Sequence, residues 1–389
     1  MTVTPIRDVE VLTLRASLDP ADLDGSSETV VVRVTDEAGV SGIGEADAPA
    51  AVVRELVLME DLHAWSRGLR SLLIGRDPYE IGALYDEAYQ ATIYHGRRGL
   101  GIHAISAVDI AIHDLVGKQL GRPSYQLLGG ARRNVLSPYA TIYPGAVKGR
   151  SLAEMMSAIS AQFETALELG FRALKMEVLF YELVSDRELV DCIREGRRIL
   201  GDGIVMLVDF GYRWHSWRDA LWTLRRLEDC DIYLVEAALQ HDDLEGHARL
   251  AERIEPRLGG AEFAATVNEC HEWLVHGRVD VLQPDVNRCG GLTELRRIAD
   301  LALAYGAAVI PHGWKTGITA AAARHFQAAT VNSPYIEMFS PDLFPSPLRR
   351  ELVDGEPTIS EGTMPLPSAP GLGVRLNDDA LNRYGVSEI

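Results

Sequence analysis

Six ionisable residues recur along this chain of 389 at intervals of 23 to 27: Asp209, Glu236, Glu262, Asp285, His312 and Glu337. Each closes an apolar, β-branched run, and helical patterns lie between the runs. Candidate strands fall at residues 135–142, 171–179, 203–210, 232–237, 257–263, 279–286, 307–312 and 335–339. The clearest helix begins with a capping box of Ser151 and Glu154, lines one face with Leu152, Met155, Met156, Ile159 and Phe163, and stops at Gly170. A closed barrel divides about 250 residues among eight strand–helix repeats, so this interval is one repeat. Strands alternating with helices therefore predict an α/β fold of the (β/α)8 type, with its chemistry at the C-terminal strand ends. An open doubly wound sheet is the alternative, but no G-x-G-x-x-G follows any strand, so a dinucleotide site has no support.

Residues 279–314 show the pattern most compactly. The segment VDVLQPDVNRCGG ends a strand in Asp285, and AAVIPHGW ends the next in His312. In a βαβ unit both strand ends point the same way, so carboxylate and imidazole can meet on one rim. An aspartate that orients a histidine is what a general base near neutral pH requires. Taken alone, the pair reads equally well as a helix cap and a loop histidine. The rest of the ladder decides for catalysis.

Residues 1–130 have a different texture. Strand patterns at 6–14, 29–34 and 42–45 precede helical patterns at 52–73, 79–91 and 102–120. This is an α+β module set before a barrel spanning 131–348. The segment 349–389 is rich in Pro and Gly and is expected to run back over the first module. Two connectors, 17–27 and 47–51, are placed to cover a site elsewhere. The net charge of −18 with no basic patch argues against nucleic acid or an anionic membrane as partner. Four cysteines without a CxxC suggest neither a disulfide framework nor structural zinc. The start MTVTPIRDVEVLTLRA lacks a signal-peptide core, and no continuous apolar run reaches about 18 residues, so a cytoplasmic location is expected.

The strand ends also include Lys175 and Glu177. Three carboxylates from adjacent strands, Asp209, Glu236 and Glu262, cannot share one mouth without a cation, because like charges this close force protonation. Oxygen-only ligands point to a hard ion, Mg²⁺ foremost and Mn²⁺ second. A metal with Lys175 beside it would draw in a carboxylate, and the Asp285–His312 pair offers a base. The chemistry implied is proton abstraction α to a carboxylate.

With these residues in view, the chain resembles the enolase superfamily, mandelate racemase/muconate lactonizing enzyme family, mandelate-racemase subgroup, over nearly its whole length. The resemblance implies a (β/α)7β TIM-like barrel with an α+β capping domain completed by the C-terminal tail. It matches Lys175 to the first lysine of the K-x-K strand and Asp209, Glu236 and Glu262 to the Mg²⁺ ligands. Asp285 and His312 match the Asp–His dyad, and Glu337 in YIEMF the eighth-strand glutamate that bonds the substrate carboxylate. The motifs HGRRG at 95–99 and ISAVDIAIHDLVGK at 105–118 are most similar to L-rhamnonate dehydratase and related acid-sugar dehydratases. Family members often assemble as dimers or octamers, so a homo-oligomer is expected, with a small sugar acid as the other partner.

Two departures from the family matter. The chain reads Lys175-Met176-Glu177, so the second lysine that serves racemases as the other base is missing. Asp209 is followed by Phe-Gly-Tyr-Arg-Trp where many relatives carry an asparagine two residues on. Glu177, Tyr212, Trp214 and Trp314 are the expected substrate contacts. A capping-domain reach from His95, Arg97 and Arg98 is weighed against plain surface salt bridges. His271-Glu272 with His276 is one residue too long for a zincin motif. The expected activity is that of an acid-sugar dehydratase passing through an enediolate, with Glu337 carrying or sharing a proton. The alternatives are a racemase or epimerase using Glu177, and a catalytically idle metal-binding barrel.

Overall fold

The computed structural model describes residues 4–16, 27–145, 149–179, 184–344 and 346–386, so the connector expected at 17–27 lies outside the described residues except for Ser27. The chain begins with an antiparallel meander of β1 (Ile6–Arg15), β2 (Glu28–Asp36) and β3 (Ser41–Ala46). Helix α1 (Leu100–Leu120) lies against β3. The fit is close because β3 carries two glycines. A Cβ on Gly42 would come within 2.0 Å of the Ala111 carbonyl oxygen, and one on Gly44 within 2.0 Å of that of Ala107.

By length and composition α1 is apolar enough to cross a membrane. Yet 89% of its apolar window is buried inside the protein. It is apolar all round because it is covered on two sides. The meander takes one side and the barrel the other. Ser106 Oγ accepts from the Gly290 N–H at 2.8 Å, and Asp109 accepts from the Thr293 N–H at 3.0 Å and its hydroxyl at 2.5 Å. Asp114 accepts from the Ile43 and Leu372 N–H groups and from Lys118. Ser106 and Asp109 therefore tie α1 to the barrel, and Asp114 ties it to β3 and the C-terminal segment.

The barrel strands are β4 (Pro138–Ile142), β5 (Ala173–Glu177), β6 (Val205–Asp209), β7 (Ile232–Glu236), β8 (Arg257–Gly260), β9 (Val281–Leu282), β10 (Ala308–Val309) and β11 (Ile336–Met338). They form one parallel sheet in the order β10-β9-β8-β7-β6-β5-β4-β11. Its outer face is covered by α2 (Leu152–Glu168), α3 (Asp186–Leu200), α4 (Trp217–Leu224), α5 (Leu244–Ala251), α6 (Thr266–Glu272), α7 (Gly291–Ala304) and α8 (Gly317–Ala329). The capping box expected for α2 is present, with Ser151 and Glu154 bonded reciprocally. Side chains alternate along each strand. Leu174, Met176, Met206 and Val208 face the helices, while Tyr139, Ala173, Leu207, Leu234, Val281 and Ile310 fill the interior.

The C-terminal segment crosses back to the first unit. Gly371 bridges Pro123, Gly385 bridges Leu14, and the Val386 N–H donates to the Thr13 carbonyl at 2.9 Å.

Two expectations need correction. The helix expected at 52–73 is two helices, Ala50–Leu58 and Leu69–Leu73. Between them Asp61 accepts from the Gly68 N–H at 3.2 Å and the Ser71 hydroxyl at 2.5 Å, which folds the chain into a turn. The strands expected at 257–263, 279–286 and 307–312 are shorter. Ala261 adopts φ +85°, and Pro284 and Pro311 lack the N–H that a further ladder bond needs. Gly44→Ala should clash with the α1 backbone and lose about 3 kcal/mol. Urea unfolding would show it as a lower midpoint with an unchanged slope.

Candidate active site

The interior layer fixes where the chemistry sits. Two residues beyond Tyr139, Ala173, Leu207, Leu234, Val281, Ile310 and Tyr335 lie Thr141, Lys175, Asp209, Glu236, Gln283, His312 and Glu337. With a side-chain period of two, these seven form the next layer toward the strands' C-terminal ends. Glu177 and Asp285 lie one layer further. β8 is the exception. A Cβ on Gly259 would strike Gln283 and Leu234, so a glycine leaves that space to Gln283. The left-handed turn at Ala261 then brings Glu262 to the mouth. Ala237 (φ +47°) and Tyr212 (φ +63°) are likewise left-handed, close after Glu236 and Asp209. Non-glycine residues in this region are strained, and such strain concentrates at functional sites.

Lys175 is 1% exposed and is the hub of the layer. Its ammonium lies 2.8 Å from Glu236, 2.8 Å from Glu337 and 3.7 Å from Asp209. Burial opposes its charge, but Glu236 and Glu337 overcome that and hold its pKa well above the usual lysine range. Gln283 donates to Glu236 at 2.5 Å. Glu337 accepts from Lys175, Thr141 and, at 2.9 Å, the Gly313 N–H. Burial alone would raise its pKa, but Lys175 and His312 pull it below the ordinary value. That lowering runs against the carried or shared proton expected for Glu337. Three donors face its two oxygens, and that arrangement favours the anion.

His312 and Asp285 form the expected pair. His312 Nδ1 lies 2.6 Å from Asp285 Oδ2, and Nε2 lies 3.2 Å from Glu262. Burial works against protonation, yet Glu262 and Asp285 hold the imidazole pKa up at about 9. Asp285 is fully buried, and its other oxygen accepts from the Asn287 N–H at 2.7 Å.

The remaining expected residues divide. Glu177 pairs in register with Asp209, and burial together with that neighbour pushes its carboxyl well above the carboxylate range. Tyr212 donates its hydroxyl to Glu262 at 2.5 Å and stacks on Phe263. Trp214 is 5% exposed, packs on Phe210, and spends its N–H on Asp186 at 3.0 Å. Trp314 joins Tyr143, Phe339 and Phe344 in an aromatic wall beside the His312 loop. From the capping domain, Asp47 accepts from Arg288 and Lys315, each three residues past a dyad member. His95 bonds Ser66 at 3.2 Å within the capping unit, whereas Arg98 pairs with Glu269 of the barrel helix α6 at 3.1 Å. His276 pairs with exposed Glu272, apart from this cluster. Thr141 and Gln283 were missed because neutral side chains did not stand out among strand ends. Counting two residues on from the interior layer would have found both.

Asp209, Glu236 and Glu262 end three neighbouring strands. Among the described residues no three such side chains already converge as a ligand set. Instead they turn to Lys175, Gln283, Tyr212 and His312. Burial, and after it the charge of Glu236, pushes Asp209 up to about 8. Glu236 is raised for the same first reason. Glu262 is lowered, because His312 and Arg288 outweigh its burial. An all-carboxylate set with more negative charge than its cations neutralise fits a hard divalent ion such as Mg²⁺.

Residues 158–380 match the family model described as enolase C-terminal domain-like. Residues 17–129 match the mandelate racemase / muconate lactonizing enzyme N-terminal domain. The chain is 32% identical to the arabinonate dehydratase of Saccharolobus solfataricus over 357 residues, covering 92% of this chain and 90% of that one. Other curated relatives are named L-rhamnonate dehydratase, D-gluconate dehydratase and D-galactarolactone cycloisomerase. Among solved structures, one of a putative racemase is 43% identical with a TM-score of 0.93, covering 98% of both chains. A racemase from Streptomyces coelicolor A3(2) with bound magnesium is 28% identical with a TM-score of 0.83, covering 98% of this chain and 100% of that one. With both family models matched in order along one barrel and its cap, the chain belongs to the mandelate racemase/muconate lactonizing enzyme family of the enolase superfamily.

Proposed function

We propose that the protein is a Mg²⁺-dependent dehydratase of a sugar acid, an aldonate or similar polyhydroxy acid, yielding a 2-keto-3-deoxy acid. The observation that carries this reading is the Asp285–His312 pair, closed at 2.6 Å, in a mouth whose β5 strand ends in Glu177 rather than a second lysine. One nitrogen base suffices for elimination, whereas two-sided proton transfer needs a partner base. The names of the curated dehydratase relatives agree with this reading.

Asp285 holds the Nδ1–H tautomer of His312, and engagement of Glu262 by the cation would remove the contact that keeps Nε2 protonated, which leaves Nε2 to take the proton from C2. The same Nε2–H then protonates the hydroxyl departing from C3, which leaves as water. The resulting enol becomes the 2-ketone by taking a proton at C3 from solvent. Lys175 meets the negative charge that develops on the substrate carboxylate. Asp209, Glu236 and Glu262 would hold Mg²⁺, which supplies Lewis-acid stabilisation of that same carboxylate. Glu337 and Gln283 keep Lys175 and Glu236 in place. The four cysteines are free thiols, the state that a reducing compartment maintains, and a cytoplasmic homo-oligomer is the proposed form.

A racemase or epimerase is the second reading, favoured by the 43% identical structure named a putative racemase. It would require Glu177 as the other base. A keto-acid assay over a library of acid sugars with Mg²⁺ should give product with at least one substrate, and EDTA should abolish it. Ligands that raise the melting temperature without any product would instead mark an idle binder. In D₂O the dehydratase should place deuterium at C3 of the keto acid. Deuterium at C2 with the β-hydroxyl retained would establish the isomerase. His312→Asn should lower kcat by about 10²–10⁴. Calorimetry should show its Mg²⁺ affinity unchanged, and wild-type turnover would remove His312 from the role of base.

A further inference from the structure

We propose that Glu45 of the capping meander is a positioning residue for the catalytic base, acting on His312 through Thr319, Asn287 and Asp285. The proposal rests on His312 being that base.

The need for such a device follows from the strands. Among the described residues β9 ends at Leu282 and β10 at Val309, so Asp285 and His312 both lie three residues past the last ladder pair. Pro284 and Pro311 precede them and donate no backbone bond. The strand ladder does not orient the pair, so its orientation depends on the loop bonds and side chains around it.

Three side-chain bonds and the Asn287 backbone N–H form one line. Thr319 Oγ1 donates to Glu45 Oε2 at 2.7 Å. With its single proton committed there, the hydroxyl presents its lone pairs to Asn287 Nδ2, which donates to it at 2.5 Å. The Asn287 N–H donates to Asp285 Oδ1 at 2.7 Å, and Asp285 Oδ2 meets His312 Nδ1 at 2.6 Å. Glu45, Asn287 and Asp285 are 0% exposed and Thr319 is 1%, so water does not compete for any bond of the line. The far end is anchored. Glu45 also accepts from the Thr29 hydroxyl at 2.5 Å and the Thr316 hydroxyl at 2.9 Å. Thr319 and Asn287 are joined side chain to side chain, and Asn287 meets Asp285 through its backbone N–H, so a shift at Thr319 moves Asn287 and with it the carboxylate that holds the imidazole. The capping unit thereby sets the angle of a base that it does not touch.

Thr319→Val keeps the side-chain shape and removes the hydroxyl, whereas Thr319→Ser keeps the hydroxyl. Thr35→Val removes a hydroxyl bonded to Ser41 at 2.8 Å in the same meander, away from the line. Thr319→Val should lower kcat about tenfold or more with KM within about twofold, the scale of losing an outer-shell partner. It should also shift the low-field Nδ1–H resonance of ¹⁵N-labelled His312. Thr319→Ser should retain both properties. Thr35→Val should lower the melting temperature alone. Wild-type kcat and an unmoved resonance in Thr319→Val would overturn the proposal. So would an equal loss of kcat in Thr35→Val, which would mark a stability effect. If the wild type makes no keto acid from any sugar acid, the functional reading fails by itself. The resonance then decides the relay, with a shift supporting it and an unmoved signal rejecting it.

Discussion

The site depends on one buried cation. The Lys175 ammonium is 1% exposed and sits among Glu236, Glu337 and Asp209 in a barrel interior that water does not reach. A lone ion at such a depth would shed its charge, and unpaired carboxylates would do the same. Together they remain charged, but unevenly. Lys175 lowers Glu337, while Asp209 stays pushed up to about 8. The mouth is therefore short of positive charge on the side of β6, β7 and β8. That imbalance is what a divalent ion and an anionic substrate would resolve together, and it gives the barrel its chemical direction.

The second constraint is steric. Gly42 and Gly44 let α1 lie directly on β3, and α1 in turn fastens to the start of α7 through Ser106 and Asp109. Because the cap cannot slide on the barrel, Asp47 meets Arg288 and Lys315, and Glu45 meets Thr316 and Thr319. Two successive acidic residues beyond and within one strand thus brace the loops after both members of the dyad. Packing far from the mouth sets geometry inside it.

The barrel was legible because its repeat is long and each unit ends in a charged residue. Asp209, Glu236, Asp285, His312 and Glu337 could be placed on one rim from spacing alone. Thr141 and Gln283 were not legible in that way, since a neutral residue at a strand end looks like any other. The surroundings of Glu337 were not legible either, since they depend on three donors brought together from β4, β5 and the His312 loop. The break in the helix expected at 52–73 depends on Asp61 reaching Gly68 and Ser71, a local bond that hydrophobic periodicity does not register. Pro284 and Pro311 were visible in the sequence, yet the strands expected at 279–286 and 307–312 ran through them.

The closing contacts of the chain have a temporal meaning. β1 is joined by Gly385 and Val386, and α1 receives Leu372 on Asp114. During synthesis the first unit emerges early, yet these partners are translated only after every barrel strand. Domains usually fold in order as they leave the ribosome. This one waits for residues 371–386 to cover part of its surface, and the barrel also takes a late contact, from the Gly362 N–H to the Gly170 carbonyl. The cap is translated before the barrel but completed after it, so a base braced from the cap in the proposed way would gain its full support only once residues 371–386 have docked.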